Sequence, residues 1–167
     1  CIRDRALVDL RVNTMRVSMA GVRAALAEAE YDVVPTSFSP IGLRGSAYTN
    51  FSALTPFRRG LIDLQDESSQ LVSLLVSAKP EMKVVDLCAG AGGKSLALSA
   101  MMENTGTIMS CDTSMSRLSR IEPRRKRLGA GKVGSSGGEP RTAPRPVKPK
   151  VKSGEPRTAP RSTKPKG

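Results

Sequence analysis

Two carboxylates and a cluster of glycines are the residues in this chain whose spacing suits chemistry. Asp86 closes the run Lys83-Val84-Val85, and Asp112 closes Thr107-Ile108-Met109-Ser110-Cys111. Between them lie Cys88-Ala89-Gly90-Ala91-Gly92-Gly93-Lys94-Ser95 and a stretch of small residues. A β-branched run ending in an acid reads as a short strand. Glycines between a strand and a helix let the backbone approach a ligand closely. The order strand, Gly turn, helix, strand, acid is that of a nucleotide-binding half of an α/β sheet.

Three ligands suit such a turn unequally. A Walker phosphate loop needs Gly-x-x-x-x-Gly-Lys-Ser/Thr, and Gly93-Lys94-Ser95 supplies its end. Its first glycine falls on Cys88, whose Cβ opposes the loop geometry. A dinucleotide fingerprint needs Gly-x-Gly-x-x-Gly; Gly90 and Gly92 fit, but the third position is Ser95. S-adenosylmethionine has no pyrophosphate, so it needs close approach without a helix aimed at a dianion. The Gly turn can then cradle the methionine part, and the two oxygens of Asp112 can accept from a vicinal ribose diol. A ligand-free tight turn is the remaining explanation of the same glycines.

Other chemistries drop out on composition. The chain has no His, so Ser–His and Cys–His pairs are excluded. Cys1, Cys88 and Cys111 are far apart with no CxxC, so no zinc site is expected. Sparse, odd cysteines suit a reducing compartment. No apolar run approaches the roughly 20 residues of a membrane span, and no signal-peptide core precedes the first charges. The expected location is the cytoplasm. The chain begins with Cys rather than Met, which suggests a fragment. Its oligomeric state cannot be read.

The elements that must position the turn can be traced along the chain. Leu10 and Val12 alternate with polar residues as in a strand, Ser18 suits a helix N-cap, and residues 19–30 show helical spacing. Val33-Val34 is extended, and 36–60 reads as loop and hairpin. Residues 1–60 thus form a small α+β subdomain. Residues 61–133 carry a strand at Leu61–Leu64, a helix from Asp66 with Leu71, Leu74 and Leu75 on one face, the Gly-turn unit, and a helix from Ser114. Pro123 either kinks that helix or begins a second one. Arg124-Arg125-Lys126-Arg127 is a basic cluster.

From 134 to 167 the chain is a disordered, Pro/Lys/Arg-rich tail with nine Lys/Arg, two Glu and seven of the twelve Pro. Gly138–Arg145 recurs as Gly154–Arg161, without apolar content to bury. The net charge of +12 suits a polyanion such as RNA or DNA.

Three stretches together resemble a family. Leu10–Thr14, Leu64-Gln65-Asp66-Glu67-Ser68-Ser69-Gln70-Leu71, and Val85–Ser95 look like successive signatures of the Sun/Nop-type RNA cytosine carbon-5 methyltransferases. The resemblance runs in register over residues 10–129. It implies an α/β fold, a partial doubly wound sheet of the class I methyltransferase, Rossmann-like kind, behind a small RNA-binding-like subdomain. It implies S-adenosyl-L-methionine as cofactor, held by Cys88, Ala89, Gly90, Ala91, Gly92, Gly93, Lys94 and Asp112, and RNA, chiefly ribosomal RNA, as partner, with no membrane and no metal. Ala91 stands where the family usually has Pro. Arg117-Leu118 matches residues that often follow the ribose-binding acid.

Family chemistry needs a Cys thiolate to add to carbon 6 of cytosine before carbon 5 can attack the methyl. The family carries that Cys in a Thr-Cys-Ser-like motif and a second Cys in a Pro-Cys motif. Neither motif is in this sequence, so no catalytic residue is assigned and the chain reads as truncated after the cofactor half. Two strands of the sheet are expected, which would leave Leu96, Leu98 and Met101 exposed and the domain incomplete. The competing functions are a non-catalytic basic RNA-binding module using the small N-terminal subdomain, Arg124–Arg127 and the tail, and an NAD-binding enzyme.

Overall fold

A computed structural model describes residues 7–46, 50–131 and 133–136. Two sheets make up the architecture. The first contains β1 (Leu7–Val12), β2 (Val33–Pro35), β3 (Gly42–Ser46) and β4 (Ile62–Leu64). It is antiparallel throughout, in the order β2-β3-β1-β4, with Leu10 opposite both Leu43 and Leu64. Helix α1 (Met19–Glu28) is capped by Ser18, whose Oγ accepts from Gly21 N at 3.1 Å. It buries Val22 and Leu26 against Leu10, Val12, Leu43 and Ile62 to form the larger core. A short helix α2 (Thr55–Arg58) leads into β4.

Helix α3 (Glu67–Val76) follows β4. Its buried residues are Glu67, Gln70 and Ser73, and Leu75 is 82% exposed. Of the expected Leu71, Leu74, Leu75 face, Leu71 and Leu74 are half-buried and Leu75 stands in solvent. The polar face is inward because it has partners there. Glu67 accepts from Phe38 N at 2.6 Å and Ser39 N at 2.9 Å. Gln70 accepts from Ser39 Oγ at 2.7 Å and donates to Leu10 O and Gln65 O. Asp66 makes no side-chain capping bond. Asp9 of β1 does that work, accepting from Glu67 N at 2.9 Å.

The second sheet is parallel, in the order β5-β6-β7, with β5 (Lys83–Asp86), β6 (Thr107–Cys111) and β7 (Val133–Ser136). Helix α4 (Gly93–Met101) connects the first pair, and α5 (Met115–Leu118) and α6 (Ile121–Leu128) connect the second. The third strand was not expected, and it runs three residues into the stretch read as tail. The rest of that tail lies outside the described residues. Pro123 sits in the first turn of α6, where its missing N–H has no intrahelical partner to lose.

Helix α4 is buried nearly all round, with Leu96 at 1% and Leu98 at 4% exposure. This corrects the expectation that its apolar face would be open. Leu98 and Met102 pack on Ile108 and Ala78, while Leu96 lines a small gap together with Arg11, Asn13 and Leu128. The open apolar surface is instead on the sheet, at Val85, Leu87 and Met109.

The two sheets meet at a polar seam. Asp63 of β4, 1% exposed, faces Arg124 Nη2 and Arg127 Nη2 of α6 at 2.6 Å each, and Arg11 Nη2 of β1 at 3.6 Å. Asn13 Nδ2 donates to Gly60 O and Leu128 O, both at 2.9 Å. Arg127 Nη1 donates to Phe57 O and Ile62 O.

Asp63→Asn would strand three guanidiniums in a buried site and is expected to cost about 3–5 kcal/mol of unfolding free energy. Urea denaturation measures it. A second expectation concerns acid. Arg44 grips Asp9 through two bonds of 2.6 and 3.0 Å and lowers its pKa. The N–H groups of Phe38 and Ser39 lower that of Glu67. Depressed carboxylates add stability above their ordinary range and lose it as pH falls through their lowered values. Arg44→Met should therefore move the acid transition, followed by circular dichroism, to higher pH.

Candidate functional site

The site is built where β5 and β6 end side by side. Parallel pairing sets Asp86 opposite Ser110, so the loops leaving both strands emerge at the same sheet edge. Ala89 N donates to Cys111 O at 2.9 Å, which ties the first loop to the second strand. Gly92 N then turns back onto Ala89 O at 2.8 Å, and Gly92 becomes the N-cap of α4.

Two glycines in this turn have positive φ for different reasons. Gly92, at φ +80°, lies against Ile121; a Cβ there would come within 2.7 Å of Ile121 Cγ1. Gly90, at φ +54°, has no atom within 4 Å of where its Cβ would be. One glycine is needed for packing of α6 on the turn. The other leaves open space beside bare backbone.

Asp112 is the electrostatic centre of the turn. Its Oδ2 accepts from Gly90 N at 2.9 Å, and its Oδ1 accepts from Ser114 N at 2.8 Å and pairs with Arg117 Nη2 at 2.9 Å. The Ser114 N–H, then the Gly90 N–H and the Arg117 charge, hold its carboxyl below the ordinary value against the effect of burial. Asp112 is thus an ionised acceptor at neutral pH. Arg117 is more than half exposed, so a ligand hydroxyl could replace it at Oδ1.

Asp86 plays another part. Its Oδ2 accepts from Ser95 Oγ at 2.7 Å, and Ser95 Oγ accepts from Ser110 Oγ at 2.8 Å. This buried hydroxyl chain pins the first turn of α4 to both strands. Ser95, the residue that departs from the dinucleotide fingerprint, is accordingly a structural link.

The structure brings Ala89, Gly90, Ala91, Gly92, Gly93 and Asp112 around one turn, with Lys94 half-buried in the first turn of α4 and Cys88 exposed at the loop's start. Cys111 is half-buried with a free thiol. Cys1 lies outside the described residues. Among the described residues no group of three or more His, Cys, Asp or Glu could hold a metal, and no helix is long and apolar enough to cross a membrane.

The basic cluster departs from expectation. Arg124 and Arg127 are committed to Asp63, and Arg125 to Glu122 through bonds of 2.8 Å. Arg124 Nη1 also donates to Ala91 O at 2.9 Å, so it clamps the Gly turn to the first sheet. Sequence reasoning missed Asp63 and Arg124 as supports of the site. The available signal was an acid at an inward position of Leu61-Ile62-Asp63-Leu64.

A parallel strand–Gly turn–helix–strand–acid unit behind an antiparallel sheet places the fold among the class I methyltransferases. Residues 73–144 match the sequence model of the 16S rRNA methyltransferase RsmB/F family. The chain is 32% identical over 123 residues to a probable ribosomal RNA small subunit methyltransferase B of Synechocystis, covering 73% of this chain and 28% of that protein. It is 27% identical over 110 residues to a tRNA (cytosine(49)-C(5))-methyltransferase of Pyrococcus abyssi, covering 65% and 35% respectively. The solved structure of PH0851 superposes with a TM-score of 0.78 and 31% identity, over 86% of this chain and 32% of that one. Over residues 73–144 the chain is thus similar to the RsmB/F methyltransferases, and its named relatives are ribosomal RNA and tRNA methyltransferases. It spans about a third or less of the length of these relatives. S-adenosyl-L-methionine is the cofactor that goes with this family, and the phosphate-loop and NAD readings give way to it.

Gly92→Ala should lower stability by about 1–3 kcal/mol, combining left-handed backbone strain with the clash on Ile121. Gly90→Ala should cost only the backbone part, about 1 kcal/mol. Thermal melts of the two variants check the difference.

Proposed function

We propose that this chain holds S-adenosylmethionine at Cys88–Lys94 and Asp112, as the cofactor-holding part of an RNA cytosine carbon-5 methyltransferase whose substrate is ribosomal RNA. The observation that carries the reading is Asp112: an ionised carboxylate at a strand end, bonded to the Gly turn at Gly90, whose α-carbon borders open space. The bound cofactor supplies an electrophilic methyl group.

The chain's own residues do the binding. The turn from Gly90 to Gly93 offers backbone with little side-chain bulk, which suits close approach of the methionine part. Asp112 accepts the ribose hydroxyls, with Arg117 yielding its place on Oδ1. The Ser110–Ser95–Asp86 chain keeps the helix start fixed while the loop is occupied. Residues 61–133 form the cofactor unit and 1–60 the small subdomain that meets RNA, with the basic stretch 134–167 adding phosphate attraction without sequence preference. We place this action in the cytoplasm. No catalytic residue is assigned: Cys88 stands on the cofactor loop, and Cys111 is half-buried at the end of β6.

Isothermal titration of the full chain with S-adenosylhomocysteine tests the reading. Binding is expected in the wild type, with a loss of about tenfold or more in Asp112→Ala, since bonds to a charged group are the strong ones. Arg117→Ala, which leaves only Ser114 N on Oδ1, should retain binding. No binding by the wild type, or equal binding by Asp112→Ala, would sink the proposal.

A further inference from the structure

The arginine cluster at the seam also floors an open cleft of about 450 Å³, lined by Phe57, Asp63, Leu64, Pro123, Arg124 and Arg127. Three guanidiniums meet one carboxylate there, which leaves positive charge in excess. Other hydrogen bonds of Arg124 and Arg127 run to the backbone carbonyls of Ala91, Leu64, Phe57 and Ile62, which are neutral. The excess is therefore not cancelled within the cluster. Its positive charge borders a cleft whose exposed lining is mostly apolar and includes the Phe57 ring. Leu64 is 41% exposed on one side, and the Arg127 guanidinium lies 3.8 Å from the centre of the Phe57 ring on the other.

A flat, apolar-faced group carrying a negative charge satisfies both features at once. A nucleotide has that form: its base lies against aromatic and guanidinium planes, and its phosphate sits in the positive field. An acidic peptide would answer the charge but leave the flat wall unused. The volume falls within the range of about 300–1,000 Å³ usual for small-ligand sites, with room for one nucleotide. Arg124 bridges the cleft and the Gly turn, since it contacts Asp63 and Ala91 O together. We infer that this cleft is a subsite for one nucleotide of single-stranded RNA, beside the cofactor turn. The inference rests on the RNA reading proposed above and adds a place where the RNA is held.

The chain has no Trp, so Leu64→Trp places a single fluorescent reporter at the rim of the cleft. Leu75→Trp on exposed α3 is the control. Titration of the full chain with a short single-stranded RNA oligonucleotide is expected to quench the first reporter and leave the second unchanged. Leu64→Glu should weaken RNA binding by about fivefold or more, because a like charge meets the phosphate. It should leave S-adenosylhomocysteine binding as in the wild type. RNA affinity unaltered by Leu64→Glu, or equal quenching of both reporters, overturns the cleft while the RNA reading stands. A wild-type chain that binds the homocysteine ligand but no RNA overturns both the cleft and the RNA reading and spares the cofactor site.

Discussion

The rest of the structure depends on one buried carboxylate. Asp63 gathers Arg11 of β1 and Arg124 and Arg127 of α6, two elements far apart in sequence. A lone carboxylate at that depth would be costly, and so would any of the three guanidiniums without it. Together they fix where α6 lies against the first sheet. α6 then presents Ile121 to Gly92 and Arg124 to Ala91, which sets the shape of the Gly turn. The turn in turn presents Gly90 N to Asp112. A polar contact in the antiparallel sheet thus reaches the cofactor turn through one helix.

The same economy appears at α3. Its cap comes from Asp9 across the sheet, and Glu67 ties its first turn to the loop before β3. Arg44 lies on both carboxylates. Helix, hairpin and central strand therefore share one charge network, and none is held by apolar contact alone.

These facts explain which parts were legible in the sequence. The β5–α4–β6 unit was legible because its signals are local: β-branched runs, acids at strand ends, glycines at the turn. Helix α1 was legible from Ser18 and the spacing of Val22 and Leu26. The seam was not, because its bonds join residues 47 to 115 positions apart. Arg124 and Arg127 read as part of a basic cluster open to RNA because nothing adjacent announces Asp63. In helix α3 the leucines alone did not show that Glu67 and Gln70 are the residues buried with long-range partners. β7 was missed because Val133-Gly134-Ser135-Ser136 has almost no apolar pattern; pairing with β6 through backbone bonds makes it a strand. Asp112 was found by type and position, but its bond to Gly90 N needed coordinates.

The open face of the parallel sheet has a consequence for handling the protein. Val85, Leu87 and Met109 lie exposed side by side, on a chain with a formal charge of +12. At low ionic strength that charge keeps copies apart, and their apolar faces rarely meet. The Debye length shrinks from about 30 Å at 0.01 M salt to about 3 Å at 1 M. Salt strong enough to strip bound nucleic acid therefore also removes the repulsion that holds these faces apart, so colloidal stability and freedom from nucleic acid pull in opposite directions.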